Sequence, residues 1–151
     1  MPGSLVKIYV HAVWATKKRE PLIFPDLKDA LLKHIHLELE KMNCQPIITN
    51  SMPDHIHCLF SICSTKSISS IIKQIKGSSS RYINLEYSLQ AKLEWQAGYA
   101  AFSVSKWALK KVYDYIKNQH VHHGLKSPQQ NEFDRVMDVA MDLNPWLGNE
   151  N

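Results

Sequence analysis

Two histidines stand one residue apart in "MPDHIHCLF", at His55 and His57. If this stretch is a strand, His55, His57, Leu59 and Ser61 share one face, and Ile56, Cys58, Phe60 and Ile62 share the other. The second set is uniformly apolar and belongs against a core. The imidazoles then lie side by side on the opposite face, close enough to share one metal ion. The plain alternative is a pair of solvated or hydrogen-bonded strand histidines. A second group lies at the far end of the chain, in "YDYIKNQHVHHG". Residues four apart share a helical face, so Tyr115, Gln119 and His123 form one row. The apolar stripe of that helix is Leu109, Val112, Tyr113 and Ile116. Tyr115 flanks it and is expected to project into a cleft, with Tyr113 in the core. Taken alone, Tyr115 reads first as a boundary tyrosine, Gln119 as a surface residue, and His120, His122 and His123 as a solvated helix end favoured by the helix dipole.

These groups need elements to bring them together. Leu5 to Ala15 is rich in β-branched and aromatic residues and predicts a first strand. A basic loop, "TKKREPLIFP", follows. Asp26 to Asn43 predicts a helix, with Leu27, Leu31, Ile35 and Leu39 recurring every four residues. Gln45 to Thr49 predicts a short strand, Asn50 to Asp54 a turn, and His55 to Ile62 its hairpin partner. Ser64 to Tyr87 predicts a second helix on the stripe Ile68, Ile71, Ile72 and Ile75, weakened in the middle by Gly77 and three serines. Gly98 to Ser105 predicts a fourth strand. Ser105 is placed to cap a third helix running from Lys106 to near Gly124. A last amphipathic segment, about Pro128 to Leu143, predicts a short helix.

The order is β-α-β-β-α-β followed by helices. That is an α+β protein on the ferredoxin-like, RRM-like plan, an antiparallel sheet with two helices on one face and additional C-terminal helices. The other face is expected to be uncovered. The chain of 151 residues is expected to form a single domain spanning 1–151, since this length buries a core without staples. No apolar run suits a membrane span, and the first residues lack a secretory pattern. With three cysteines and no CxxC spacing, buried reduced thiols in a cytoplasmic protein are expected. A formal charge of +4 permits a polyanionic partner without requiring one.

Five segments together are distinctive: "YVHAVWATKKREPLI" at 9–23, "MPDHIHCLFSI" at 52–62, "IIKQIKGSSSRYIN" at 71–84, "GYAAFSVS" at 98–105 and "YIKNQHVHH" at 115–123. In these segments and their order the chain resembles the HUH single-tyrosine transposases of the smallest bacterial insertion sequences, the IS-two-hundred group and its REP-associated relatives. Ala100 departs from a frequent glycine and touches no chemistry. The resemblance implies that His55 and His57 bind a divalent metal, Mg2+ or Mn2+, with Gln119 as third ligand and Tyr115 as nucleophile. It implies metal-dependent cleavage and rejoining of single-stranded DNA at hairpin-bearing element ends, through a 5′-phosphotyrosine intermediate and a free 3′-hydroxyl. Each step exchanges one phosphodiester for another, so no ATP is needed. His123 is one candidate for the base. The resemblance also implies a homodimer, with the tyrosine helix of one subunit completing the site of the other in trans.

Single-stranded DNA hairpins are the expected partner. Lys66, Lys73, Lys76, Ser78 and Arg81 around the second helix, and Lys17, Lys18 and Arg19 after the first strand, are the candidate phosphate contacts. Trp14, Trp107 and Tyr82 are candidate stacking platforms, with an aromatic core as the alternative. Three other readings stay open: a domesticated nickase acting on repeated genomic hairpins, a non-catalytic RRM-like nucleic-acid-binding module, and a metal-dependent hydrolase in which Tyr115 only binds.

Overall fold

The structure of the protein, a computed structural model, describes residues 3–119. It contains β1 (Tyr9–Ala15), α1 (Pro25–Lys41), β2 (Gln45–Met52), β3 (His55–Ser61), α2 (Ile68–Glu86), β4 (Ala100–Val104) and α3 (Leu109–Lys117). The strands form one antiparallel sheet in the order β2-β3-β1-β4, so the ferredoxin-like α+β plan is borne out.

The helices form where local chemistry favours them. Pro25 occupies the first turn of α1, where its missing N–H is no loss. The helix ends at Lys41 and the chain turns at Asn43, whose φ of 60° is the left-handed conformation asparagine tolerates. Ser67 caps α2, its hydroxyl accepting from the Ser70 N–H. The expected weakness at Gly77 does not interrupt α2. Ser79 and Ser80 turn their hydroxyls back to the Lys76 carbonyl, and Ser79 also accepts from the Trp95 indole. Ser105 caps a 3-10 turn at Lys106–Ala108 that leads into α3 at Leu109, as its type predicts.

One face of the sheet packs on α1 and α2. Val10, Ala12, Trp14, Ile56, Cys58 and Phe60 meet Leu27, Leu31, Ile35, Leu39, Ile71, Ile72, Ile75 and Ile83 there. The hairpin turn is tighter than expected. β2 runs on to Met52, leaving only Pro53 and Asp54 between the strands. That turn is pinned from outside, since the Ile23 N–H donates to the Pro53 carbonyl and the Thr16 N–H to the Asp54 carbonyl.

The opposite face corrects an expectation. It is not left uncovered, because α3 of the same chain lies across it. Val112, Tyr115 and Ile116 pack on Leu59, with Ile47, Ile48 and Val104 around them. β1 and β3 are therefore buried on both sides along almost their whole length. Asn50, opposite His57 on β2, donates its amide N–H to the Ile116 carbonyl at 2.8 Å and so holds the C-terminal end of α3 on the sheet. Asn50→Leu is expected to cost about 1 kcal/mol through that lost bond. Amide exchange in α3 should accelerate relative to α1, and equal protection in both helices would contradict this anchoring role. Among the described residues, no helix is long and apolar enough to cross a membrane.

Candidate active site

His55 and His57 project from β3 onto the face beneath α3, with ring centroids 5.2 Å apart and ring planes at 68°. Each is held through Nδ1. The His55 Nδ1 lies 2.6 Å from Asp54 Oδ1, and Arg19 Nε donates to Asp54 Oδ2 at 3.2 Å. The hydrogen bond from His55, more than the nearby Arg19 charge, holds the Asp54 carboxyl below the usual carboxylate range. An ionised Asp54 only accepts, so His55 donates from Nδ1, and in the neutral ring Nε2 carries the lone pair. The His57 Nδ1 lies 2.8 Å from Nε2 of His11 on β1. Burial pushes the His57 ring well below its ordinary value and the His11 ring down to about 4, so both are neutral near pH 7.

α3 supplies the other half. The Tyr115 ring stands edge-on to His57, centroids 5.8 Å apart at 73°. Gln119, just past the end of α3, places its amide Nε2 3.2 Å from His55 Nε2. The structure thus brings His55, His57, Tyr115 and Gln119 together, all from one chain. The packing stripe of α3 is rotated from expectation. Its buried residues are Val112, Tyr115 and Ile116, with Gln119 completing the i, i+3, i+4, i+7 row, whereas Tyr113 is only partly buried. Tyr115 belongs to the packing face rather than flanking it.

The donor set suits a divalent cation. The Gln119 Oε1 is buried and has no hydrogen-bond partner. Such an orphan acceptor costs about 1–3 kcal/mol, and a bound cation would supply the partner the protein does not. The two ends of the amide exchange by a half-turn, which would set Oε1 beside the lone pair of His55 Nε2. Two imidazoles and a carboxamide oxygen would leave further positions for phosphate and water. Among the described residues, no group of three histidine, cysteine, aspartate or glutamate side chains could hold a metal ion, and a set built on His55 and His57 would take the Gln119 amide as its third member.

The candidate DNA contacts divide. Lys73 and Arg81 lie exposed on the outer side of α2, and Lys66 lies exposed in the loop before it rather than on the helix. Lys17 pairs with Glu94 at 3.5 Å in solvent. Lys18 and Arg19 have left-handed backbones at φ 56° and 53°, with the Lys18 N–H held by Gln96 Oε1. Arg19 braces Asp54 behind His55. Ser78 shares a 2.6 Å hydrogen bond with His34, on which Tyr82 stacks at 4.6 Å. Lys76 departs from expectation. It turns inward and donates to the Gln96 and Gly98 carbonyls at 2.7 and 2.9 Å, and burial pushes its amine down to about 8. Of the aromatic candidates, Trp14 is buried in the core and Trp107 is 89% exposed.

Lys76→Met is therefore expected to lower thermal stability while leaving the salt dependence of DNA binding unchanged. Lys73→Ala and Arg81→Ala should leave stability unchanged and each reduce the salt slope by about one. A smaller slope for Lys76→Met would return that lysine to the DNA surface.

Nothing in the sequence alone marks His11, Asn50 or Asp54 as a functional residue. Asp54 was legible as turn punctuation beside His55. His11 lies in the alternating run "YVHAVWA", but only the strand register places it diagonally from His57. His120, His122, His123 and the segment from about Pro128 to Leu143 lie outside the described residues.

A family model described as "Transposase IS200 like" matches residues 4–119. The ISDra2 transposase TnpA of Deinococcus radiodurans is 30% identical over 124 residues, covering 78% of this chain and 88% of that protein. The transposase for insertion sequence element IS200 of Salmonella typhimurium is 29% identical over 114 residues, covering 72% of this chain and 74% of the relative. A solved REP-associated tyrosine transposase bound to a REP hairpin superposes with a TM-score of 0.62 at 17% identity, over 100% of this chain and 90% of that one, and supports the fold.

Proposed function

The chain belongs to the IS200-like transposase family, and on that premise we propose that it cleaves and rejoins single-stranded DNA at hairpin-bearing ends with Tyr115 as nucleophile. The observation that carries this reading is the convergence of Tyr115 and Gln119 from α3 on His57 and His55 from β3. His55, His57 and Gln119 would hold Mg2+ or Mn2+. Bound there, the ion would polarise a non-bridging phosphate oxygen and offset the charge that develops on it.

Tyr115 Oη attacks the scissile phosphorus, giving a 5′-phosphotyrosine link. The phenolic proton passes to solvent water, and the departing 3′-oxygen takes a proton from water to become a 3′-hydroxyl. A second 3′-hydroxyl then attacks the same phosphorus and releases Tyr115, so the phosphodiester count is unchanged. An ordinary tyrosine has a pKa near 10 and is a weak nucleophile at pH 7. Packing against His57 and Leu59 fixes its ring and restricts the geometry of approach.

Single-stranded hairpins are the proposed partner, in line with the REP hairpin bound by the superposing transposase. Lys17, Lys18, Lys66, Lys73, Ser78 and Arg81 are the proposed contacts. The proposed homodimer would exchange α3 between two identical sites, making in trans the contacts seen here within one chain.

The test is a covalent-adduct assay. The protein is incubated with labelled single-stranded hairpin oligonucleotides from the DNA flanking its gene, with Mn2+, and run on a denaturing gel. A shifted band that carries the 5′-phosphate side and disappears with chelator is expected. Tight hairpin binding with turnover but no covalent band would favour the hydrolase reading.

A further inference from the structure

We infer that His11 is a positioning residue: its Nε2 accepts the His57 Nδ1 proton and thereby leaves His57 Nε2 as the lone-pair nitrogen of the site. The inference rests on the metal reading above and assigns a role to a residue outside the proposed ligand set. In register, His11 lies opposite Leu59 on β3 and Phe102 on β4, while His57 lies opposite Val13. Residues directly opposite share a face, and His57 is the diagonal neighbour of His11, within reach of an imidazole. The two nitrogens are 2.8 Å apart, with ring centroids at 5.1 Å.

Both rings are almost fully enclosed, at 1% and 2% exposure. Water therefore does not substitute for this bond, and the proton between the rings must sit on one nitrogen or the other. With the proton on His57 Nδ1, His57 Nε2 carries a lone pair. With the proton on His11 Nε2, His57 Nε2 carries the hydrogen and is unable to ligate. His55 shows which arrangement the site uses. Its Nδ1 donates to Asp54, leaving its Nε2 lone pair beside Gln119. His11 does for His57 what Asp54 does for His55, but as a neutral acceptor. That suits its position, because Asp54 lies at the sheet's margin beside Arg19 whereas His11 is enclosed between central strands. Its Nε2 is engaged with His57, so through that nitrogen His11 supports a ligand rather than binding the ion.

The test has a readout without metal. Long-range proton–nitrogen spectra of the 15N-labelled, metal-free protein distinguish the protonated ring nitrogen of His57 from the bare one. Protonation at Nδ1 is expected in the wild type, and protonation at Nε2 would overturn the inference without any variant being needed. Mn2+ titration then compares His11→Phe, which keeps the ring without the acceptor, with His11→Gln, which restores an acceptor near Nε2. A roughly 10–100-fold loss of affinity is expected for His11→Phe, largely recovered in His11→Gln. Failure of the wild type to bind Mn2+ would overturn the metal reading and the inference with it. Wild-type binding that His11→Phe leaves unchanged would overturn the inference alone.

Discussion

Tyr115→Phe is expected to abolish the covalent DNA adduct and strand joining, lowering the rate by roughly 10⁴-fold or more, while hairpin binding and Mn2+ affinity stay at wild-type values. The ring does the packing, buried at 8% exposure against Leu59, Val112 and Ile116 and edge-on to His57. Phenylalanine keeps every one of those contacts. On the proposed reading the hydroxyl is the nucleophile, and its removal should cost only about 1 kcal/mol of stability. Tyr113→Phe is the matched control. Tyr113 stands two residues away on the same helix, only partly buried, and its loss should leave the adduct intact. Gel assays on both variants with one labelled hairpin decide the matter. An adduct that survives in Tyr115→Phe but disappears in Tyr113→Phe would transfer the nucleophile to the neighbouring tyrosine.

That control bears on what the sequence could show. Periodicity placed the elements well where a single partner surface decides them. The four-residue recurrence of Leu27, Leu31, Ile35 and Leu39 is the buried face of α1, and the apolar alternation of Ile56, Cys58 and Phe60 is the face of β3 turned toward the helices. Where a residue's fate depends on which surface docks from elsewhere, the local pattern misled. The sequence pattern sets Tyr113 in the stripe of α3 and Tyr115 on its flank, and only the path of α3 across the sheet selects Tyr115 as the buried one. Lys76 looks like one more cation beside an isoleucine stripe until the approach to β4 brings two carbonyls to its amine. His11 and His57 are 46 positions apart, and their contact exists only through the β1–β3 register. The residues that could act on a substrate were legible by type and spacing. Those that hold them, His11, Asn50 and Asp54, become visible only in the assembled sheet.

Gln119→Leu is expected to separate stability from metal binding, raising the first while removing the second. In the metal-free protein the Gln119 Oε1 is a buried acceptor without a donor, a cost of about 1–3 kcal/mol. Leucine fills nearly the same volume and carries no such penalty. The variant also loses the 3.2 Å contact to His55 Nε2, but the His55 side chain retains 16% exposure, so that nitrogen can turn to water. The net change without metal is a higher unfolding temperature. With Mn2+ the order should reverse. A ligand that binds only the folded state at 100 times its Kd stabilises by about 2.7 kcal/mol, and the wild type should show that shift. Because loss of a supporting residue alone typically weakens metal affinity by about 10–100-fold, loss of a ligand should weaken it by at least about 100-fold and cancel the shift. Thermal unfolding of both proteins with Mn2+ and with chelator measures all four quantities. A Mn2+-induced shift that persists undiminished in Gln119→Leu would remove Gln119 from the ligand set. A metal-free variant less stable than wild type would mean that the orphan oxygen is satisfied in solution. Only the predicted reversal fits a side chain placed against the interest of the fold to serve an ion, the kind of local conflict between stability and consistency that marks a working site.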